Sequence, residues 1–225
     1  MDRFVNEGDG MIGQEVRRGE VANYPFNILE GDGKLTDISG NQLHATIVGA
    51  TPTTDHQGRA NRGYNFGTEQ YIVTPNLTIG NVFSFAVGIS YELNKEIFYI
   101  GLSGTDRIRI AWNAKTRFAV YIVQNNVTRA QIDYVFATTT AINSYYFLSG
   151  SVDLTNSIAT LYNAGIAGTD NGSAFNSAMS ADIVSTAFFG RSPFGDNLLK
   201  QDFCFLSNQY LQSSEHLQLY NNWRK

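Results

Sequence analysis

Strict alternation of large apolar residues with small or polar ones over 83–91 limits the possible folds of this chain more than any other feature. Phe83, Phe85, Val87, Ile89 and Tyr91 alternate with Ser84, Ala86, Gly88 and Ser90. Successive side chains of a strand point to opposite faces, so this period of two predicts a strand with one buried face. A chain of such strands must pair them into sheets and bury one face of each sheet.

The same alternation recurs along most of the chain. It predicts a hairpin over 107–123 and strands near 146–152 and 158–162, while the run 203–206 is apolar at every position, as in a central strand. The only convincing helix is predicted at 213–222, with Ser213 or Ser214 as its N-cap. The predicted fold class is all-β: a two-sheet antiparallel jelly-roll β-sandwich with a short C-terminal helix.

Composition and charge argue against several classes of protein. The net charge of this 225-residue chain is -4 and no basic run is present, which argues against a nucleic-acid partner. One cysteine, Cys204, allows no internal disulfide, and its apolar neighbours predict a buried thiol. The three histidines show no zinc-ligand spacing. We find neither an apolar signal segment nor a run long enough for a membrane helix, so we expect synthesis in a host cytoplasm without a signal peptide.

The chain divides by composition into two parts. Residues 1–22 are polar, contain glycine breaks and lack apolar periodicity, so we interpret them as an N-terminal arm. Residues 23–225 contain no low-complexity linker and are interpreted as one sandwich domain.

Several segments resemble a known family in their residues and in their order. They are Tyr24-Pro25-Phe26, the run Asp37-Ile38-Ser39-Gly40-Asn41, the strand Gly63-Tyr64-Asn65-Phe66, Phe189-Gly190-Arg191, and the closing part from Asp202 to Asn221. Together they resemble laminin-G-like domains of the concanavalin A-like lectin and glucanase superfamily, in its bacterial or phage form. The resemblance spans about 24–222 and implies a jelly-roll sandwich used for binding and adhesion. One departure bears on function: the family usually has an acidic residue after Asp202, where this chain has Phe203.

Asp37 allows two interpretations. Asp and Asn side chains accept backbone N–H groups and Gly40 permits positive φ, so the segment can be a self-capped turn between strands. The resemblance implies a second role, in which Asp37, Asn41 and Asp202 bind one calcium ion, a cation that prefers carboxylate and carbonyl oxygens.

A glycosidase would need carboxylates held at a fixed spacing. Glucanases of the superfamily use the pattern E-x-D-x-x-E, whose two reacting carboxylates stand about 5.5 Å apart in a retaining enzyme. This chain offers Glu7-x-Asp9 and Glu30-x-Asp32, but Ile12 and Leu35 occupy the third position. We therefore predict that the chain is not an enzyme.

Aromatic side chains offer flat surfaces for sugar rings, whose C–H faces are apolar. The candidates are Tyr64, Tyr71, Tyr91, Tyr99, Trp112, Tyr121 and Tyr145. Trp112 with Asn113, expected at a hairpin tip, is the preferred ligand-binding pair, although most of these rings are expected to pack within the sheets.

The favoured function is a non-catalytic structural or adhesion protein on the surface of a virion, a bacteriophage virion above all. The arm would then contact other virion proteins in an oligomeric assembly. The alternative is a calcium-dependent, lectin-like module that binds a cell-surface glycan.

Overall fold

The structure, a computed structural model, describes residues 19–26, 29–30, 33–90, 95–100, 105–114, 116–136, 144–168, 173–192, 195–196 and 199–225. Within these ranges the chain forms strands and one helix. The first ten strands in chain order are β1 (Glu20–Pro25), β2 (Leu29–Glu30), β3 (Lys34–Leu35), β4 (Ala45–Val48), β5 (Thr51–Thr53), β6 (Gly63–Phe66), β7 (Tyr71–Ile79), β8 (Val82–Ser90), β9 (Lys95–Ile100) and β10 (Arg107–Ala114). The remaining elements are β11 (Arg117–Gln124), β12 (Val127–Val135), β13 (Tyr145–Asp153), β14 (Ile158–Asn163), β15 (Ile166–Ala167), β16 (Ala174–Phe175), β17 (Ile183–Phe189), β18 (Arg191–Ser192), β19 (Gly195–Asp196), β20 (Leu199–Ser207) and α1 (Ser213–Trp223).

Two large antiparallel sheets form the sandwich. The eight-strand sheet has the order β15-β14-β13-β8-β20-β6-β5, with β1 also paired to β20. The ten-strand sheet has the order β16-β12-β11-β10-β9-β17-β7-β4-β3-β2, and β18 and β19 form a separate small pair. The predicted jelly-roll β-sandwich with a short C-terminal helix is therefore confirmed, as are the hairpin from β10 to β11 and the strands β8, β13 and β14.

The inner core lies between the two sheets. Alternation places Phe83, Phe85, Val87 and Ile89 of β8 in this core, where they meet Ile108, Ile110, Phe118 and Val120 of the facing sheet. Cys204 is fully buried in the same cluster, as predicted, and burial raises the pKa of its thiol well above the ordinary value. Each Å² of apolar surface buried in this core contributes about 25 cal/mol to the stability of the sandwich.

The central strand β20 has a bulge at Asp202. Gln201 pairs with Ile89 and Phe203 with Gly88, so Asp202 is an extra residue in the ladder. A bulge of this kind breaks the alternation and redirects side chains. It falls between the stretch of β20 that pairs with β6 and the stretch that pairs with β1.

Helix α1 covers part of the outer face of the eight-strand sheet. Phe147, Phe203, Phe205, Leu219 and Trp223 form a second buried apolar cluster between helix and sheet. This explains why 203–206 is apolar at every position: Phe203 and Phe205 face the helix, whereas Cys204 and Leu206 face the inner core.

The predicted N-cap of the helix is wrong. Helix α1 begins at Ser213 and its N-cap is Gln212, whose backbone N–H donates to Glu215 Oε2 at 2.7 Å. Neither serine is the cap, because the chain is still extended at Gln212 and turns helical directly after it.

The predicted arm falls mostly outside the described residues. Residues 20–22 belong to β1, which pairs with β20, so the sandwich begins at least this early in the chain. Residues 1–18 are not described, and the division at 22 and 23 stays a prediction. In the described part of the chain, the single helix is too short to cross a membrane.

Candidate functional site

The outer face of the ten-strand sheet carries polar and aromatic side chains on β10, β11 and β12. We call this group the open face; it consists of Arg109, Arg117, Tyr121, Gln131 and Asp133. Ile110, Val120 and Ile132, which alternate with them along the strands, lie in the inner core. The five side chains of the open face therefore point away from the core, on the side that helix α1 does not cover.

Asp133 is the unusual member of the open face. Its side chain is only 4% exposed, although it lies on the outer side of the sheet. Its Oδ2 accepts hydrogen bonds from Arg117 Nη1 and Gln131 Nε2, both at the long distance of 3.3 Å. Its Oδ1 is buried and has no hydrogen-bond partner. A buried carboxylate oxygen without a partner costs free energy, so this site holds an unused capacity to accept hydrogen bonds.

Tyr121 and Arg109 form the second part of the open face. The two residues are paired across β10 and β11, and the Arg109 guanidinium carbon lies 4.4 Å from the centre of the Tyr121 ring. A guanidinium over a tyrosine face gains a cation–π interaction and is held in a fixed orientation. Gln131 pairs with Tyr121 on the next strand, so an amide, a ring and a guanidinium stand side by side.

A cleft adjoins Asp133 where β12 and β14 face each other at one side of the sandwich. Its volume is about 130 Å³, and it is lined by Asp133, Tyr134, Thr160, Gly168 and Ser173 among others. Strand β16 pairs with β12 at Ala130 and Gln131, and among the described residues no other strand pairs with β12 on this side. Asp133 thus lies at the boundary between the open face and a polar cleft.

A second polar group joins the loop 54–62 to helix α1. We call it the helix clamp; it consists of Asp202, His56 and Trp223. Asp202 Oδ1 accepts from Trp223 Nε1 at 2.9 Å, and Oδ2 accepts from the backbone N–H of His56 at 3.0 Å and contacts His56 Nδ1 at 2.9 Å. The imidazole stacks on the Trp223 indole with ring centres 3.7 Å apart. These contacts hold the C-terminal helix against the bulge of β20.

Asp55 organises the loop that carries His56. Its Oδ1 accepts from the backbone N–H groups of Gln57 and Arg59, and its Oδ2 accepts from Arg59 Nε at 2.6 Å. Burial disfavours the charged carboxylate, but these hydrogen bonds and the nearby guanidinium keep the pKa of Asp55 below its usual value. The depression above this loop has a volume of only about 10 Å³, which leaves little room for a ligand.

Asp37 forms the self-capped turn that was predicted. Its Oδ1 accepts from the backbone N–H groups of Asn23 and Ser39, and its Oδ2 accepts from Ser39 Oγ and the N–H of Leu43. Asn41 donates its side-chain amide to the carbonyls of Glu20 and Val21. The turn therefore fixes the segment 37–43 against β1, and Gly40 has the positive φ of 95° that the turn requires.

The three predicted calcium ligands do not fit a cation in this arrangement. Both oxygens of Asp37 and both oxygens of Asp202 already face hydrogen-bond donors, which a cation would have to displace. Throughout the described ranges, no group of three or more His, Cys, Asp and Glu side chains is arranged to hold a metal ion. Calcium binding by Asp37, Asn41 and Asp202 stays a prediction without support from these contacts.

The expected exposure of Trp112 is wrong. The side chain is 1% exposed and its ring stacks on Phe136 at 5.2 Å, with Tyr146 at the ring edge. Trp112 alternates in phase with Ile108 and Ile110, so it faces the core and offers no open surface to a sugar. Asn113 lies in β10, and its side chain is outside the described part of the structure.

Sequence reasoning named only Tyr121 among the members of the open face. The segment Val127-Thr128-Arg129-Ala130-Gln131-Ile132-Asp133 carries a usable signal, because polar residues alternate with apolar ones at its end. A carboxylate at an outward position of a strand is ordinarily solvated, and no sequence pattern reveals that Asp133 is buried there. The two incomplete E-x-D pairs give no further site, since Glu7, Asp9 and Asp32 lie outside the described residues and Leu35 is buried.

Comparison with known proteins supports the fold rather than an activity. The sequence matches no protein-family model and no curated protein. Among solved structures, it is similar to a botulinum neurotoxin type C chain (TM-score 0.67, 11% identity, 92% of this chain and 52% of that one). The serotype D binding domain is similar at TM-score 0.65 and 12% identity, covering 91% and 51%. A sialidase of Trypanosoma rangeli is similar at TM-score 0.58 and 17% identity, covering 90% and 32%.

These similarities define the class of fold. The chain has a jelly-roll β-sandwich, a fold that it shares with part of the toxin binding domains and of the sialidase. It spans about half the length of the two toxin chains, of which 52% and 51% are covered. Of the sialidase chain, 32% is covered. Membership of the laminin-G-like type stays a prediction, because no family model matches.

Proposed function

We propose that the protein is a lectin-like module that binds a glycan on its open face. The observation that carries this proposal is Asp133, a buried carboxylate on the outer side of a sheet with one oxygen unpartnered. Binding proteins keep such groups at a cost in stability because a ligand supplies the missing hydrogen bonds.

The chemistry of the open face suits a sugar. Hydroxyl groups of a sugar donate hydrogen bonds to a carboxylate such as Asp133 and accept them from donors such as the Gln131 amide and the Arg117 guanidinium. The C–H face of the ring packs on a partly exposed aromatic side chain such as Tyr121. The neighbouring cleft of about 130 Å³ offers space for one substituent of the ligand.

The structural neighbours support a binding role. The type C botulinum neurotoxin enters cells by a route that depends upon interaction with two ganglioside molecules, which are glycan-bearing lipids. The serotype D chain is likewise a binding domain. Because a sialidase shares the fold, the absence of catalysis stays a prediction, and assays of sialidase and glucanase turnover with the purified protein test it.

A glycan array with the purified protein tests the proposal, followed by calorimetry on the best ligand. We expect Asp133→Asn and Tyr121→Ala each to weaken binding at least about tenfold, which corresponds to roughly 1.4 kcal/mol. Asp182→Asn, an exposed carboxylate outside the open face, is the matched control and should bind like the unchanged protein. An array without any ligand, or binding that survives Asp133→Asn, would contradict the proposal.

Calcium dependence is a separate part of the lectin proposal. It follows from the family resemblance of Asp37, Asn41 and Asp202, whereas the open face that we propose as the binding surface involves none of these residues. Repeating the array with calcium and with a chelator separates the two. We expect equal binding in both conditions; loss of binding in the chelator would instead show that calcium supports the site.

Attachment or assembly on a virion, a bacteriophage virion above all, is the second candidate. One observation favours it: the predicted arm, residues 1–22, ends in strand β1, which begins at Glu20 and pairs with the central strand β20. The part of the arm that precedes β1 would dock on other virion proteins and build an oligomer. Light scattering of the full chain and of a chain lacking residues 1–18 tests this; identical monomer masses for both would count against it.

A further inference from the structure

We infer that acid releases the N-terminal half of helix α1 from the outer face of the eight-strand sheet, and that His216 is the group that senses pH. The proposed glycan binding is not involved, because it takes place on the other outer face of the sandwich. Three features carry the inference: the burial of His216, the hydrogen bonds around its ring and the way in which the helix is attached.

His216 lies in the first turn of α1 and is fully buried against the sheet. Its Nε2 lies 2.8 Å from Ser151 Oγ on β13, and the ring stacks on Tyr162 of β14 with ring centres 4.2 Å apart. Its Nδ1 is buried and has no hydrogen-bond partner. A proton bound at Nδ1 would therefore create a charge without solvation and a donor without an acceptor.

Two serines determine where the neutral ring carries its proton. Ser84 Oγ and Ser151 Oγ lie 2.7 Å apart. Ser84 Oγ also donates to the carbonyl of Gln209 at 2.6 Å, and Ser151 Oγ donates to the carbonyl of Leu211 at 2.8 Å. Because each hydroxyl has one proton, none remains for the imidazole. Nε2 must then donate to Ser151 Oγ, and Nδ1 is the position that a proton from solution would occupy.

The described residues offer no carboxylate that contacts the ring and could stabilise a charged imidazolium; its contacts are Ser151 and Tyr162. Strands β8 and β15, which pack against α1, contain no ionisable residue. The ionisable residues of the other neighbouring segments and of α1 itself are Tyr145, Tyr146 and Asp153 of β13, Tyr162 of β14, Lys200, Asp202 and Cys204 of β20, Asp55, His56, Arg59 and Arg62 of the loop 54–62, Tyr210, and Glu215 of α1.

The nearby carboxylates have other partners. Glu215 accepts from the backbone N–H of Gln212, and Asp153 accepts from Asn156. Asp202 accepts from Trp223, about 10 Å further along the helix axis than His216. Burial without a compensating charge lowers the pKa of His216 to about 3.

The attachment of α1 allows it to leave without disrupting the sandwich. Its apolar side chains belong to the cluster that contains Phe147, Phe203 and Phe205, and that cluster is separate from the inner core between the sheets. The two ends of the helix are also held by different groups. His216 and the serines hold its beginning, whereas the helix clamp holds Trp223 near its end. Protonation of His216 therefore acts on the beginning of the helix.

Native-state hydrogen exchange of the full chain tests the inference. A helix of 11 residues that has lost its packing is marginal in water, so the amides of 215–219 exchange whenever this half is released. With a pKa of 6.5 in the released state and about 3 in the docked state, release should become roughly 25-fold more frequent between pH 7 and pH 5. After correction for intrinsic exchange rates, the protection factors of 215–219 should fall by the same factor. They should stay below those of β8 at both pH values.

Two variants identify the responsible group. His216→Gln should remove most of the 25-fold change, whatever the protection factors of the variant at pH 7. His44→Gln is the matched control, because His44 lies at the Asp37 turn, where its Nδ1 accepts from the backbone N–H of Asp37 at 3.2 Å. It should keep the full change.

NMR of the imidazole nitrogens in the unchanged protein supplies a measurement that needs no variant and so decides the case even where His216→Gln does not fold. We expect the Nε2–H form of His216 at pH 7, and no protonation of the docked ring at pH 5.

Three results would overturn the inference. Equal protection factors for 215–219 and β8 at pH 5 would show that the helix leaves only when the whole protein unfolds. A 25-fold change that persists in His216→Gln would assign the effect to another group. A docked His216 that carries its proton on Nδ1 at pH 7, or that becomes protonated near pH 6.5, would show that the site tolerates the charge.

Discussion

The two outer faces of the sandwich carry different side chains, and helix α1 packs on only one of them. On the eight-strand sheet, helix α1 covers Phe147, Phe203 and Phe205 and buries Trp223 to 6% exposure. On the ten-strand sheet, β10 to β12 carry Tyr121 and Arg109, which remain partly exposed. One face holds the helix, and on the other these two side chains keep part of their surface exposed.

The buried carboxylates of the two faces differ in whether their oxygens have hydrogen-bond partners. Asp202 on the covered face uses both of its oxygens, with Trp223 and His56 as partners. Gly88 leaves room for this arrangement, because a Cβ there would lie 2.1 Å from Asp202 Oδ1 and 2.5 Å from Trp223 Nε1. Asp133 on the open face has one oxygen unpaired. Asp202 therefore joins the helix to the sheet, whereas Asp133 is the carboxylate on which the proposed glycan binding rests.

Loss of the largest side chain on the covered face should have the largest effect. Trp223→Ala removes a buried indole, its stacking on His56 and its hydrogen bond to Asp202. We expect the free energy of unfolding to fall by about 3–5 kcal/mol, as for other buried aromatic residues. Denaturant unfolding measures this.

The matched control for this change lies on the same helix. Leu217 is 45% exposed, so Leu217→Ala should cost less than about 0.5 kcal/mol. At denaturant concentrations where the Trp223→Ala protein is still folded, it should bind glycan as tightly as the unchanged protein. A loss of binding comparable to that of Tyr121→Ala would show that the two faces are not independent.

The covered face should also respond to acid. His216 of α1 is fully buried, contacts Ser151 Oγ through Nε2 at 2.8 Å and stacks on Tyr162. Burial lowers its pKa to about 3, against 6.5 when solvated. The unfolded chain therefore binds a proton below pH 6.5 that the folded protein does not bind, and stability falls with decreasing pH between about 6.5 and 3.

The size of this effect is set by the proton linkage. Each pH unit in that window costs up to about 1.4 kcal/mol, so unfolding at pH 5 should be about 2 kcal/mol easier than at pH 7. In His216→Gln the slope between pH 7 and 4.5 should become shallower, whatever the stability of the variant at neutral pH. Parallel slopes for the two proteins would show that His216 is not the responsible group.

The fold was largely predictable from local patterns. Alternation along β8, the hairpin of β10 and β11, and the apolar run near Cys204 each report burial on one or both faces of a strand. The cap at Gln212 was missed because serine is the stronger intrinsic cap, whereas the backbone remains extended at Gln212 and turns helical after it. Trp112 was misplaced because it stands near a turn, although its phase with Ile110 already assigns it to the core.

The candidate site was predictable only in part. Tyr121 was among the aromatic candidates, but its combination with Arg109, Gln131 and Asp133 depends on the register of three strands. Register is fixed by long-range packing and by bulges such as the one between Ile122 and Val123, which no local pattern reports. Burial of Asp133 on an outward position is likewise a property of the assembled sheet.

The smallest expected changes in unfolding free energy come from replacing two buried carboxylates, Asp55 and Asp133, by asparagine. In Asp55→Asn the new amide must point N–H donors at N–H groups of Arg59 or Gln57, because both carboxylate oxygens accept hydrogen bonds. We expect a loss of about 1–3 kcal/mol in unfolding free energy.

In Asp133→Asn the amide nitrogen can occupy the position of the unpartnered oxygen, while the amide oxygen still accepts from Arg117. The Arg117 side chain is 42% exposed, so its ion pair with Asp133 contributes little to stability. We expect this change to lower the free energy of unfolding by less than about 1 kcal/mol while it weakens glycan binding at least about tenfold. A large destabilisation by Asp133→Asn would mean that the carboxylate supports the sheet, and the distinction between the two faces would no longer hold.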